Sequence, residues 1–459
     1  MRDETIPQTV LFPDLFTTPV IATFDQPHAS SDGGAILLKA AEARYGLIDG
    51  FARCLLDDRQ PGKVRHTLTD LLAQRIYAIA CGHPDANDAD RLADDPMHKL
   101  LLGRDPLDGD PLASQPTISR FENHVGARAL DAMGWELAAT VIDRHRQRIH
   151  GRVRRITIDL DPTDDPTHGA QQLTFFNGHY DCWCYLPLLA FLTFNDEAEQ
   201  YLCAAILRPG NAPATGGARG TLTRLLGLLR ITFPRARFLV RLDGGFATPE
   251  LFDFLDAEPG LDYVVAMGEN AVLTRLAAPA MGEARPQSEA SGQTAHVYTE
   301  TRYAARTWDH TRRVVIKAEV VRLPGREPRD NARFVVTNLR QTPRFVYERV
   351  YCARGDIENR IKELHDGLQI GRTSCSRFWA NQLRVLLTAA AYVLMQELRL
   401  RAARTACARA QVTTLRARLL TLGVQVVRSV RRIVLHLPTS TPFVDAWCHI
   451  ARALGARTG

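Results

Sequence analysis

Lysine is scarce in this chain. Only five stand in 459 residues, at positions 39, 63, 99, 317 and 362, so 52 of the 57 basic residues are arginine. That ratio looks like a GC-rich coding bias, and it weakens any argument resting on one arginine. Long apolar runs are also missing. None approaches the roughly 18 residues that a membrane span needs, and Met1-Arg-Asp-Glu-Thr lacks the charged-then-apolar order of a secretory signal. These absences argue against an integral membrane or secreted protein and for a soluble cytoplasmic one. The nine cysteines include no CxxC pair. Cys182 and Cys184 alternate on one strand face, but zinc there needs two more ligands, and only His168 and His179 are near in sequence. Buried free thiols in a reducing compartment are the simpler reading. Internal repeats and low-complexity tracts are absent.

What is present is an ordinary globular composition, 45% hydrophobic and 24% charged, which is enough to build several cores. The net charge of +6 permits nucleic-acid binding without demanding it. The charge is unevenly spread. Residues 85–110 hold eight aspartates against three basic residues, and residues 391–459 hold eleven arginines against Glu397 and Asp445. Such a tail suits either a solvated surface or a phosphate-binding face.

Residues 1–150 read as helical. Asp70 to Ala80 has helical apolar spacing, and His83-Pro-Asp-Ala-Asn-Asp breaks it. Ser114 opens a further helix, with Pro116 in its first turn and Thr117, Ser119 and Arg120 at its exposed start. This is an ordinary capped helix or a DNA-reading one. From Arg155 a run of strands begins, followed by helix, strand, helix and strand, which points to a mixed α/β sheet with an antiparallel side. Pro279 to Gln293 reads as a linker. Residues 296–339 alternate like β-structure, and Phe345 to Leu400 returns to long helices.

Carboxylates at the ends of buried strands are costly unless paired, hydrogen-bonded or metal-bound. Asp159 and Asp161 share one face of ITIDLDP, and Asp243 ends FLVRLD before Gly244-Gly245. Tyr351, Arg354, Glu358, Lys362 and His365 follow at spacings of 3, 4, 4 and 3, one helical stripe. Alone, each has a plain structural reading: an Asx-turn at Asp161, a cap at Asp243, an ion-pair ladder through Glu358. Two strand aspartates and a helix glutamate in that order make a site only if the fold gathers them.

These residues resemble bacterial insertion-sequence transposases with a DDE catalytic core, the transposase DDE domain group 1 family. The resemblance is carried by DLDPTDDPTHGAQQ (159–172), YDCWCYLPL (180–188), RLDGGF (241–246), YCARGDIENRIKEL with GRTSCSRFWANQLR (351–384) and VVRSVRRIVLHL (426–437). SSDGGAILL and GHPDANDADRLADDP in the first third are similar too. The segment around Glu358 looks like a Tyr-x2-Arg-x3-Glu-x6-Lys signature whose last place falls on His365, which leaves Lys362, a turn earlier on the same face, as the basic residue to serve instead.

The resemblance implies an RNase H-like mixed sheet flanked by helices. The expected parts are a helical DNA-binding domain at 1–150, the first part of the core at 151–294, a β-rich insertion at 295–344, core helices carrying Glu358 at 345–400 and a basic region at 401–459. It further implies Asp161, Asp243 and Glu358 as catalytic metal ligands, with Asp159 as the rival first carboxylate. Mg²⁺ is the implied cofactor, with Mn²⁺ as a substitute. Tyr351, Arg354, Lys362 and His365 would hold the phosphate backbone, together with Arg120, Arg428, Arg431 and Arg432 elsewhere. Trp308 is either a core residue or a stacking surface for an extruded base. The implied partner is double-stranded DNA with terminal inverted repeats, bound by a homodimer on paired ends at the bacterial nucleoid. A nuclease of the same fold and an inactive DNA-binding relative are the alternatives.

Overall fold

A computed structural model describes residues 9–457 apart from Pro13 and Phe16. Its centre is a mixed sheet of eight strands. From edge to edge they are Ala295–Tyr303, Arg312–Val321, Arg329–Thr337, Leu261–Met267, Arg237–Leu242, Arg155–Pro162, Leu188–Phe194 and Tyr201–Ile206. The three strands in the middle, Leu261–Met267, Arg237–Leu242 and Arg155–Pro162, are parallel, and every other pairing is antiparallel. This is the expected mixed α/β sheet with antiparallel flanks. The β-rich block at 295–337 is not a separate sheet, because its strands continue the central one through Arg329–Thr337.

Residues 33–148 are mostly helical, as the spacing indicates, whereas Thr9–Leu11, Val20–Ala22 and Ala29–Ser30 are short strands. The helix Leu68–Cys81 opens on a capping box: Thr67 Oγ1 accepts from Asp70 N, and Asp70 accepts from Thr67 N, both at 3.1 Å. It closes on Gly82 at φ 100°, a left-handed cap that favours glycine. Ser114 makes no capping bond. Asp90 takes that role from a distance, its Oδ1 accepting from Gln115 N at 2.7 Å.

One element joins these helices to the sheet. In the helix Phe378–Arg401, every residue from Ala380 to Arg399 is buried. Its apolar side chains belong to one core running from Ala35 to Leu454. Its polar side chains serve defined partners. Gln382 and Gln396 lie fourteen residues apart, on one helix face, and accept the outward amides of Leu207 (2.5 Å) and Leu202 (3.2 Å) at the edge strand. This caps an edge that would otherwise invite strand addition. Glu397 pairs with Arg144 at 2.6 Å and Arg384 with Glu122 at 2.9 Å, so the helical N-terminal part is locked to the core through buried charge.

Two expectations fail on local grounds. Pro279 to Gln293 is not a linker but most of the helix Ala271–Ser291. Asn270 caps it by accepting from Val272 and Leu273. Leu273, Ala277, Ala280, Ala284 and Ser288 form a buried stripe, so packing outweighs the amides lost at Pro279 and Pro286. The stretch 343–367 is helical but not uniform. It passes through π-turns at Val346–Tyr351, tight 3-10 turns at Cys352–Gly355, α-helix at Asp356–Lys362 and π-turns again at Glu363–Gly367.

Glu122 holds two buried guanidiniums, accepting from Arg75 Nε and Arg384 Nε at 2.9 Å each. Removing one member of a buried ion pair typically costs about 3–5 kcal/mol. Glu122→Ala is therefore expected to lower unfolding stability in urea by about that amount. A loss under about 1 kcal/mol would show that these charges do not tie the helices to the core.

Candidate active site

The two strands that carry Asp161 and Asp243 are parallel neighbours. Their register runs from Arg155 opposite Arg237 to Asp159 opposite Arg241. Two residues further along each strand, the same register sets Asp161 beside Asp243 at one end of the sheet. Asp243 turns into a tight 3-10 turn at Gly244–Phe246, where its Oδ1 accepts from Gly245 N at 2.9 Å. A Cβ on Gly245 would meet Ala214 Cβ at 2.9 Å and Asp243 Oδ1 at 3.2 Å, so the turn has room only for glycine. Glu358 lies exposed in the first turn of Asp356–Lys362.

Arg354 sits between the carboxylates. Its Nη2 is 2.7 Å from Asp161 Oδ1 and 3.6 Å from Asp243 Oδ2. Burial works against its charge, and Asp161 and Asp243 more than restore it, so the guanidinium holds its proton more firmly than usual. Asp161 behaves the opposite way. Burial pushes its carboxyl up to about 7; Arg354 pulls it down, and the neighbouring negative charges of Asp243 and Glu358 raise it. Glu358 is thus close enough to be felt at Asp161. The three carboxylates still do not form a closed cage. Among the described residues, the group of three ligand side chains whose donor atoms all lie within 4.8 Å is a different one, Asp32, His83 and His98. Arg354 supplies the positive charge between the two strand aspartates. The carboxyl donors are all oxygen, and Asp161 is raised chiefly by its burial, a cost that a hard divalent ion would relieve.

A family model described as transposase DDE domain group 1 matches residues 12–457, nearly the whole chain. The chain belongs to that family. No curated protein matches it.

The remaining residues singled out from the sequence of this DDE-family chain divide clearly. Asp159 is fully buried, with both oxygens engaged by Arg241 (2.8 and 2.6 Å) and Gln200 (3.0 Å). It is a structural ion pair one strand step behind Asp161. The changes of helical pitch undo the straight stripe. Arg354 pairs with the strand aspartates and not with Glu358, and Lys362 is exposed with no ion pair among the described residues, so no surface ladder forms. Tyr351 lies near enough to Asp243 and Arg354 to feel both charges. His365 meets Thr163 Oγ1 at 3.0 Å, and burial lowers its pKa, so it stays a neutral brace.

Trp308 is a core residue. It is 9% exposed and packs edge-on to Phe252 at 5.0 Å and Tyr303 at 5.5 Å, with the Arg312 guanidinium 5.0 Å from its ring. Arg428 is bound to Asp105 and to Asp108 (2.5 Å), so part of the basic tail neutralises the acidic stretch. Arg431 and Arg432 stay exposed at the turn between Val424–Arg428 and Ile433–His436. Arg120 lines a cavity of about 1660 Å³ enclosed by residues 54–129, together with Arg59, Lys63, Arg104 and Arg128. None of the three carboxylates borders it.

Sequence reasoning missed Tyr180. Burial and the charges of Asp164, Asp161 and Asp243 push its hydroxyl up to about 12. Its loop is held by Asn177, which donates to Gly210 O at 2.9 Å, and the loop 210–217 reaches Gly245 beside Asp243. The antiparallel strands Phe175–Asn177 and Cys182–Tyr185 flank this loop and expose Phe176 and Trp183 as a cross-strand pair, rings 6.4 Å apart. Only the alternation around Cys182 and Cys184 hinted at this, since it sends Trp183 to the opposite face.

A carboxyl raised above its unfolded value favours the folded state below pH 4, and that contribution is lost as pH rises through about 7. The charge of Asp161 thus costs the ion-free protein a few kcal/mol, roughly, at pH 8. Asp161→Asn is expected to melt higher than the parent at pH 8, by a clearly smaller margin at pH 5, and level with it only below about pH 4. Equal differences at both pH values would contradict the raised carboxyl.

Proposed function

We propose that this chain is a DNA transposase that cuts at the ends of a mobile element and joins the freed ends elsewhere, using a catalytic core of the RNase H-like kind. The observation that carries this reading is the meeting of Asp161 and Asp243 on one guanidinium, with Glu358 near enough to act on Asp161. Membership of a DDE family, whose proteins typically use divalent metals, supports it.

Asp161, Asp243 and Glu358 would hold Mg²⁺, or Mn²⁺ in its place. Held there, such ions would supply activation of an attacking oxygen and charge stabilisation of a leaving one in phosphodiester cleavage. Arg354 keeps the like-charged carboxylates together before DNA arrives, then turns its planar fork to the phosphate beside the cut. Lys362, exposed on the same helix, adds a mobile point charge. Tyr351 and Tyr180 border the reacting phosphate and limit its positions. Gly244, where an added Cβ would meet nothing nearer than 3.9 Å, lets the DNA backbone approach Asp243 closely. Arg431 and Arg432 at their exposed turn, and Arg120 on the wall of the large cavity, bind flanking duplex with terminal inverted repeats. The exposed Phe176–Trp183 pair, rather than buried Trp308, offers faces to an unpaired base. Two copies acting on paired ends would complete the assembly.

A nuclease of the same core would cut without joining, so a strand-transfer assay on a short inverted-repeat substrate separates the two readings. Asp161→Ala, Asp243→Ala and Glu358→Ala are each expected to reduce Mg²⁺-dependent cleavage to background while duplex binding in a gel shift stays within about threefold, because phosphate contacts dominate affinity. Normal cleavage by purified Glu358→Ala would remove the glutamate from the site. Binding that does not weaken as salt rises would remove DNA as the partner.

A further inference from the structure

Two sequence stretches took no part in the proposed chemistry, SSDGGAILL and GHPDANDADRLADDP. In the fold Asp32 of the first meets His83 of the second and His98, two residues beyond it. Asp32 lies in the turn between the short strand Ala29–Ser30 and the 3-10 turn Gly33–Ala35. His83 follows Gly82, the cap of Leu68–Cys81. His98 stands on Pro96–Leu101, whose first turn is fixed by Asp95 accepting from His98 N at 2.9 Å.

The three side chains converge on one point. Asp32 Oδ2 is 2.9 Å from His98 Nε2 and 3.1 Å from His83 Nε2, and all three donor atoms lie within 4.8 Å of one another. Donors bound to zinc at about 2.0–2.2 Å in a tetrahedron stand roughly 3.3 Å apart, so these separations are close to tetrahedral edges. Asp32 and His98 are 3% and 0% exposed, and His83 is partly open. The Nδ1 atom of His98 is buried and has no hydrogen-bond partner. That atom lies on the ring edge away from Asp32, so Nε2 is the nitrogen that faces the cluster.

We propose that Asp32, His83 and His98 form a zinc site, with the fourth position open on the His83 side. Two imidazoles and one carboxylate suit Zn²⁺ and disfavour Mg²⁺, which demands oxygen ligands. The site is thus chemically distinct from the cluster around Asp161. Its place points to a structural role. Ala29–Ser30 pairs with the C-terminal strand Val424–Arg428. Arg416 donates to Ala80 O at 2.8 Å, beside the cap of the His83 helix, and also to Gly367 O, nine residues beyond Glu358. Asp85, two residues after His83, pairs with Arg372 at 2.8 Å. A zinc ion here would fasten the N-terminal helices to the C-terminal strands and to the segment that carries the glutamate.

The test is metal content, independent of any DNA reaction. Full-length protein without an affinity tag is equilibrated with Zn²⁺, then dialysed against excess Mg²⁺, and zinc is counted by mass spectrometry. The expected result is one zinc per chain in the parent and none in Asp32→Asn or His83→Gln. Replacement by Co²⁺ should give the visible absorption of a four-coordinate site. A chelator should lower the melting temperature of the parent and leave that of His83→Gln unchanged. His83 is partly open, so His83→Gln decides the matter even if Asp32→Asn fails to fold. A parent that retains no zinc, or a His83→Gln variant that retains as much as the parent, overturns the site.

Discussion

A carboxylate taken out of water must find a cation or hydrogen-bond donors, and this fold meets that constraint with arginine at most of its main joints. Asp159 has Arg241, Glu122 has Arg75 and Arg384, Glu397 has Arg144, and Glu363 has Arg399 at 2.5 Å. None of these pairs need add much net stability, because desolvation consumes most of the Coulomb attraction. What they add is position, since each partner is worth far more paired than alone. The arginine surplus, which reads as a coding bias in the sequence, supplies the counter-ions for this buried network.

Arg354 is the member of the set that is placed to exchange. The other buried arginines hold partners inside the core. Arg354 stands between Asp161 and Asp243 at one end of the sheet; under the proposed function a divalent cation would claim these carboxylates and a phosphate the guanidinium. Asp161 remains poised near neutrality because burial and like charge act together on it. Under the proposed function, Arg354 stands in the resting protein where ion and substrate charge would come, a form of preorganisation that holds Asp161 and Asp243 near one another.

Much of this was legible in the residues. The parallel strands ending on Asp161 and Asp243 follow from apolar runs terminated by acids, and Gly244-Gly245 signalled the tight turn. The helix bearing Glu358 was evident from spacing. The choice between Asp159 and Asp161 was not, because both share a strand face; only the depth of Arg241 and Gln200 separates them. Pro279 and Pro286 suggested a linker because helix propensity is local, whereas the stripe from Leu273 to Ser288 gains its stability from a sheet the sequence does not display. Likewise Ser114 looked like a cap until Asp90, far away in sequence, took the amide.

The order of elements, the acids at strand ends, the family pattern and the reducing-type cysteine content were determined by the sequence by itself, because each is a property of neighbours along the chain. The tertiary structure alone decided that Arg354 turns to the strand aspartates instead of Glu358, that Trp308 is buried while Trp183 is exposed, and that Asp32, His83 and His98 meet. Those outcomes turn on which surfaces face each other across tens to hundreds of intervening residues, and on changes of helical pitch that rotate side chains away from the positions regular spacing assigns.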